Sequence, residues 1–222
     1  MAVHQALIEQ VTQLVITELG KKGCTIGGGC LVRTMVPVGI SARHVHLQQD
    51  HLEALFGKGY TLTKRKELSQ IGQYAAEETV TLVGLKNKIQ KVRILGPLRK
   101  ETQVEITASE ARLLGIIAPV RNSGDLKNTP GLTIVGPKGS IIINQGVIIA
   151  ERHIHMSPEE ARVYQVTNGQ KVKVKIPGVK GGMMDNISLR VDKGYRLDFH
   201  IDTDDANAFQ LQQGQLLELV KE

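Results

Sequence analysis

The sequence lacks tryptophan and has few other aromatic residues, which together make up 3% of the chain. Proteins that bind single-stranded nucleic acids commonly stack the bases on aromatic side chains, so this class is poorly supported. Cys24 and Cys30 are the only cysteines, which supports neither a disulfide framework nor a cysteine-based zinc site and favours a reducing cytosol. No apolar run approaches the length of a membrane span, and the N-terminus lacks the layout of a secretory signal.

Signatures of several enzyme classes are also missing. The sequence has no nucleophile elbow, no Walker-type phosphate loop and no dinucleotide-binding fingerprint, and its three glycines at 27–29 precede a strand-like segment. What the sequence does have is an excess of positive charge, with a formal net charge of +6. This excess favours an anionic substrate or partner.

An Arg-His-x-His pattern occurs twice, at residues 43–46 and 152–155, and each copy closes an apolar run. Residues two apart in a strand point to the same face, so each pattern presents two imidazoles side by side. A single pair is more often a packing or surface feature than a metal site. Two copies in the same local context favour metal ligands.

The repeat extends to two further segments, in which Glu105 and His200 take the ligand position. A potential ligand is followed by one apolar residue and a helix start, and in three of the four segments a Ser, Thr or Asp takes the N-cap position with an acid three residues later. The spacing predicts six ligands: His44, His46, Glu105, His153, His155 and His200. This set suits zinc or another divalent ion such as cobalt and is large enough for two ions. The spacing does not decide which ligands share an ion.

The duplication also predicts two similar units of roughly a hundred residues each. Many short segments rich in β-branched residues are separated by Gly, Pro, Asn and Asp, which favours a mainly β fold of two small closed or nearly closed barrels capped by short helices. The site is expected at their junction. The expected order is an N-terminal amphipathic helix over 1–20, a Gly-rich linker over 21–35, a first barrel over 36–149 and a second over 150–222, which the strand near 32–42 can also join.

The N-terminal segment has a pattern of its own. Between Val3 and Leu19 apolar residues recur at a helical period, which predicts an amphipathic helix. A flexible, glycine-rich stretch follows it. The helix therefore either packs back on the body or is a tethered peptide whose apolar face binds a partner.

A dense run of basic residues leads into Glu105, and Arg99 is its most informative member. If the segment stays extended, Arg99 lies on the same face as Glu105, which follows six residues later. There the guanidinium can hold a phosphate or a carboxylate through two hydrogen bonds.

Three segments, residues 37–47, 95–105 and 150–156, resemble the PduL-type phosphotransacylases, which are the phosphate propanoyltransferases of bacterial microcompartments. The resemblance includes both histidine pairs and the spacing from Arg99 to Glu105. It implies a dizinc enzyme of two β-barrels that interconverts acyl-CoA and phosphate with acyl phosphate and CoA. Propanoyl-CoA is the first choice of substrate and acetyl-CoA the second, because a pocket encodes one methylene only weakly.

The resemblance further assigns roles to residues. His44 and His46 would hold one zinc, and Arg99 would hold the phosphate. The other zinc would be held by Glu105, His153, His155 and His200. Because CoA itself carries phosphates, we also expect CoA contacts at Ile40, Ser41, Ala42, Lys86, Arg93 and Asn207. The helix over 3–19 resembles an encapsulation peptide that binds shell or core proteins, which implies the lumen of a microcompartment, as in propanediol degradation. The formation of a homo-oligomer stays open.

Two alternatives use the same residues differently. A zinc-dependent hydrolase of an anionic ester or thioester would act through the same ligands without phosphate. A non-catalytic, metal-stabilised barrel that binds nucleic acid would show no turnover and a steep salt dependence of binding.

Overall fold

The computed structural model describes residues 35–221. The predicted helix over 1–20 lies outside the described residues, as does the predicted linker apart from Met35. Within residues 35–221 the chain forms fifteen strands and four short helices. The strands are β1 (Met35–Ser41), β2 (His44–His46), β3 (Lys64–Glu67), β4 (Tyr74–Val83), β5 (Lys88–Gly96), β6 (Gln103–Glu105), β7 (Val120–Arg121), β8 (Leu132–Val135), β9 (Ser140–Ile143), β10 (Val147–Ala150), β11 (His153–Met156), β12 (Lys171–Ile176), β13 (Gly182–Val191), β14 (Asp198–Asp202) and β15 (Leu216–Val220). The helices are α1 (Gln49–Phe56), α2 (Ala108–Leu114), α3 (Pro158–Tyr164) and α4 (Thr203–Phe209).

The strands form two sheets. Six of them close into a barrel in the order β1-β14-β11-β13-β12-β15. The other nine form an open sheet in the order β7-β10-β6-β2-β5-β4-β8-β9, with β3 paired to β4. The predicted mainly β fold with short helices is confirmed, with one closed barrel and one half-barrel. The second sheet stays open because its end strands, β7 and β9, each pair with a single neighbour.

Each sheet receives one strand from the other half of the sequence. Strand β1 precedes β2 in the chain but pairs with β14 and β15 of the closed barrel. Strand β10 precedes β11 but pairs with β6 and β7 of the open sheet. The chain therefore passes from one sheet to the other at residues 42–43 and again at 151–152. Both histidine pairs begin immediately after these crossings, where the two sheets adjoin.

Side chains along β2 and β11 point to alternate faces of their sheets, which places apolar residues in the core and histidines at the site. Val45 on β2 is fully buried in the apolar core of the open sheet, and Ile154 on β11 is fully buried in the core of the barrel. Their neighbours on either side are the paired histidines, which point to the opposite face. Each strand thus anchors its imidazoles through a central apolar residue.

The helix starts predicted from the sequence are present. Thr107 and Glu110 form a capping box at α2, and Ser157 and Glu160 form another at α3. The carboxylate of Asp202 accepts a hydrogen bond from the N–H of Asp205 and so caps α4. Helix α1 has no side-chain cap, in keeping with the looser sequence after His46. Because a capped helix follows each of three candidate ligands, the ends of these strands are held in place.

Candidate active site

The β ladders bring the candidate ligands into two groups of three. On β6, Glu105 lies directly opposite His44 of β2, and on β14, His200 lies directly opposite His153 of β11. Paired residues in a ladder point to the same face of the sheet, so each strand pair adds one ligand to a histidine pair. The two groups are His44, His46 and Glu105, and His153, His155 and His200.

Within each group the potential ligand atoms lie within 4.8 Å of one another. The Nε2 atom of His44 is 3.5 Å from Oε2 of Glu105. The structure therefore places Glu105 with the first histidine pair, whereas the resemblance groups it with the three later histidines. The ladder explains this placement, because β6 pairs with β2 and lies in the other sheet from β11.

The hydrogen bonds of the histidines fit a role as ligands. The Nδ1–H of His44 donates to the carbonyl of Ala42 at 2.9 Å, and that of His153 donates to the carbonyl of Glu151 at 2.7 Å. Because a carbonyl only accepts, Nδ1 carries a hydrogen in both rings, which leaves Nε2 as the nitrogen that can face an ion. Three further buried ring nitrogens have no hydrogen-bond partner among the described residues: Nδ1 of His46, Nδ1 of His155 and Nε2 of His200.

Buried nitrogens of this kind cost free energy unless something satisfies them. The Nε2 atom of His200 lies 3.2 Å from the carboxylate of Asp198 but makes no hydrogen bond with it. Five imidazoles and a carboxylate form a donor set that a divalent ion such as zinc accepts. The two groups therefore fit one metal ion each.

The protonation states of His46, His155 and Glu105 agree with this assignment. Burial and the neighbouring imidazole lower the pKa of His46 and of His155 to about 3, which leaves both rings neutral and able to act as ligands. Burial alone would raise the pKa of Glu105, but the adjacent His44 holds it well below its usual range. Glu105 is therefore a carboxylate at neutral pH.

All six predicted ligands and Arg99 line a single cavity of about 360 Å³ between the two sheets. The Arg99 guanidinium donates to Oγ of Ser123 at 2.9 Å, and the same hydroxyl lies 3.2 Å from Oε1 of Glu105. The side chain of Gln103 donates to both Ser123 and Glu105. Arg99 is thus held beside the first ligand group by a network of hydrogen bonds.

The backbone that carries Arg99 differs from the extended segment expected from the sequence. The segment between β5 and β6 is not a continuous extended strand, because β5 ends at Gly96 and β6 begins at Gln103. Within this connection the N–H of Arg99 donates to the carbonyl of Leu47 at 2.9 Å. This bond ties the arginine to the chain just beyond the first histidine pair.

The arginines of the two Arg-His-x-His copies have equivalent partners. Arg43 forms an ion pair with Glu110 at 2.6 Å, and Arg152 forms a two-point ion pair with Asp205 at 2.6 and 2.8 Å. Each acid is the third residue of the helix that follows the strand paired with the histidine strand. The arginines therefore connect β2 to α2, which follows β6, and β11 to α4, which follows β14.

Several residues of the cavity carry no signal in the spacing of the sequence. Arg190 on β13 is the ladder partner of His155, and the ring of Tyr195 lies 4.2 Å from the ring of His155. Asp198 lies beside His200 and accepts a hydrogen bond from Ser69, which lines the cavity from the connection between β3 and β4. Strand pairing brings Arg190 and Asp198 beside His155, whereas Tyr195 and Ser69 come from connections between strands. No local pattern could have identified any of them.

The predicted CoA contacts lie at different distances from this cavity. Ser41 and Ala42 line it, and Ile40 precedes them on β1. The residues that line the cavity do not include Lys86, Arg93 or Asn207. The guanidinium of Arg93 donates to the carbonyls of residues 76 and 77, while Lys86 and Asn207 are exposed. All six stay predictions.

Buried polar side chains that converge on one concave cavity are typical of an enzyme, and arginines among them favour an anionic substrate. The family model described as phosphate propanoyltransferase matches residues 37–212. The chain therefore belongs to the phosphate propanoyltransferase family and is an acyltransferase.

Relatives with this name agree over most of the chain. The phosphate propanoyltransferase of Lachnoclostridium phytofermentans is 48% identical over 96% of this chain and 98% of its own length. That of Thermotoga maritima is 53% identical over 83% of this chain and 88% of its own. The one from Rhodopseudomonas palustris is 43% identical, and both chains are covered completely.

Proposed function

We propose that the protein transfers an acyl group between CoA and inorganic phosphate at a dizinc site in the cavity between the two sheets. The names of its relatives support the reaction, and the two ligand groups support the metal centre. The observation that carries the proposal is the guanidinium of Arg99, which is fixed by Ser123 beside Glu105 in that cavity.

In this proposal the side chains of the chain position the reactants. Arg99 binds two oxygens of phosphate and points a third toward the thioester carbonyl. A phosphate oxygen attacks the carbonyl carbon, the carbon–sulfur bond breaks, and the sulfur leaves as the thiolate of CoA, which takes up the proton lost by phosphate. The hydroxyl of Ser123 is engaged with Arg99 and Glu105, which makes it a positioning group. No covalent enzyme intermediate is needed.

Each ligand group would hold one zinc: His44, His46 and Glu105 the first, and His153, His155 and His200 the second. When bound, zinc supplies positive charge that stabilises the oxyanion and the departing thiolate. The Nδ1–H bonds of His44 and His153 to backbone carbonyls fix their rings for this role.

Propanoyl-CoA is the proposed substrate, as the names of the relatives suggest, and acetyl-CoA is the second choice. CoA would enter past Ser41 and Ala42, where the chain passes from β1 of the barrel to β2 of the open sheet. Its nucleotide portion would lie outside the cavity and contact Ile40, Lys86, Arg93 and Asn207.

Release of CoA from propanoyl-CoA tests the proposal directly. We expect release to require inorganic phosphate and to yield propanoyl phosphate in equal amount, because phosphate is the acceptor. The measurement is free thiol with and without phosphate, together with detection of the acyl phosphate. Equal release without phosphate would identify a thioester hydrolase instead, and absence of turnover with salt-dependent binding of nucleic acid would identify a binding barrel.

We further propose that residues 3–19 are an encapsulation peptide and that the enzyme resides in the lumen of a bacterial microcompartment. The family model begins its match at residue 37, which separates this segment from the enzymatic part. No helix within residues 35–221 is long and apolar enough to cross a membrane.

Deletion of residues 1–20 is expected to leave phosphotransacylase activity nearly unchanged, because a glycine-rich linker of the predicted kind would transmit little packing energy to the body. Activity and thermal unfolding of the shortened chain provide the measurement. A fluorescent protein fused to residues 1–20 should enter microcompartments when shell proteins are co-expressed. Unfolding of the shortened chain would show that the segment is structural.

A further inference from the structure

Arg190 lines the cavity together with Arg43 and Arg99, and it comes from the closed barrel. Its ladder partner on β11 is His155, so its side chain starts on the same face of the barrel as the second ligand group. Arg99 has the corresponding place in the open sheet, beside the first ligand group. Each group of candidate ligands therefore has an arginine next to it.

One short segment holds both arginines in place. The Oδ1 atom of Asn122 accepts a hydrogen bond from Arg190 at 2.6 Å, and Oγ of the next residue, Ser123, accepts one from Arg99 at 2.9 Å. The segment is itself fixed, because the N–H of Gly124 donates to the side chain of Gln103 at 2.7 Å. Two neighbouring side chains thus connect arginines that belong to different sheets.

The two guanidinium groups also share an electrostatic environment. Burial lowers the pKa of both arginines, and Glu105 and Tyr195 oppose this effect in each case. Both groups therefore lie near the same carboxylate and the same phenol, while both stay protonated, as arginines do in proteins. A tetrahedral anion between them would offer separate oxygens to each.

We propose that Arg190 is a second phosphate-binding residue, which holds the transferred phosphate from the side opposite Arg99, and that Asn122 and Ser123 are positioning residues for the two guanidiniums. This inference rests on the proposed phosphotransacylase function. Two planar guanidiniums on opposite sides of one phosphate fix its orientation. A single guanidinium leaves the phosphate able to pivot about the line through its two bound oxygens. The phosphates of CoA are the other possible source of the anion. Arg190 lies between His155 and the segment that holds Arg99, which favours the reacting phosphate.

The main variant is Arg190→Ala, assayed in the full chain with its metal. We expect the Michaelis constant for phosphate to rise roughly tenfold to a hundredfold, the scale for losing hydrogen bonds to a charged group. The constant for propanoyl-CoA should stay near that of the wild type. The Michaelis constant of Arg190→Lys for phosphate should fall between those of the wild type and Arg190→Ala. Added guanidine should partly restore the activity of Arg190→Ala. Arg162→Ala is the matched control, because this arginine lies on α3 of the same barrel with an exposed side chain.

Propanoyl-pantetheine, which lacks the nucleotide phosphates of CoA, distinguishes the two sources of the anion. If Arg190 binds the transferred phosphate, the defect of Arg190→Ala persists with this shorter thioester. If the defect disappears, Arg190 binds CoA and the proposal is overturned.

Asn122→Ala keeps the proposal testable even if Arg190→Ala does not fold. It retains both arginines, and we expect a rise of roughly threefold to tenfold in the Michaelis constant for phosphate, about the effect of one hydrogen bond. An unchanged constant in both Asn122→Ala and Arg190→Lys would overturn the proposal. Failure of the wild type to form propanoyl phosphate would contradict the proposed function itself, which is a separate outcome.

Discussion

Replacement of both His153 and His200 by alanine is expected to remove about one of two metal ions per chain, an estimate from three ligands per ion. The two residues face each other across the ladder of β11 and β14, so their loss leaves His155 as the only ligand of its group. Turnover should fall by roughly a thousandfold or more, because a bound metal contributes several kcal/mol of charge stabilisation and each 1.4 kcal/mol is a factor of ten. Elemental analysis and initial rates provide the measurements.

His51→Ala is a matched control for this double variant. Its ring lies outside both groups and bonds to the hydroxyl of Thr102 at 2.7 Å, so metal content should not change. An unchanged metal content in the double variant would refute the ligand assignment.

A second double variant, Glu105→Ala with His200→Ala, tests how the ligands are shared. It removes one ligand from each group of the structure, so both ions should bind more weakly.

Arg99→Ala is expected to lower turnover by about two to three orders of magnitude, the usual scale for removing a charged group aimed at the reacting centre. Arg99→Lys keeps the charge but loses the planar two-point fork, so its main effect should be a raised Michaelis constant for phosphate. Binding of acyl-CoA should stay close to that of the wild type. Steady-state kinetics in both substrates separate these effects.

The metal content of both Arg99 variants should equal that of the wild type, because the guanidinium contacts Ser123 and is not a ligand. Arg112→Ala is the control, since this exposed arginine lies on α2, the helix that follows β6 of the same sheet. Wild-type kinetics in phosphate for Arg99→Ala would contradict the assignment. So would an activity loss that is accompanied by loss of metal.

Local patterns in the sequence were sufficient for the parts of the site that repeat. Two imidazoles two residues apart follow from strand geometry, and the capping boxes after Glu105 and His155 are signals within seven residues. The mainly β architecture likewise follows from many short β-branched segments. These features share one property: each depends on neighbours in the chain.

Features set by strand pairing could not be read in this way. The grouping of Glu105 with the first histidine pair depends on β6 lying beside β2. The presence of Arg190 in the cavity depends on the register of β13 with β11. Arg99 lies near Glu105 although the segment between them is not an extended strand, so the conformation assumed from the sequence was wrong.

The exchange of β1 and β10 between the sheets bears on how such a chain can arise and how it can be divided. Each half of the sequence contributes one strand to the sheet of the other, which is the arrangement that a strand-swapped dimer of one ancestral repeat would have before fusion into a single gene. A polypeptide cut between the repeats would leave the barrel without β1, exposing the edges of β14 and β15 to non-native pairing. We therefore expect fragments cut between the repeats to be stable only when they are combined.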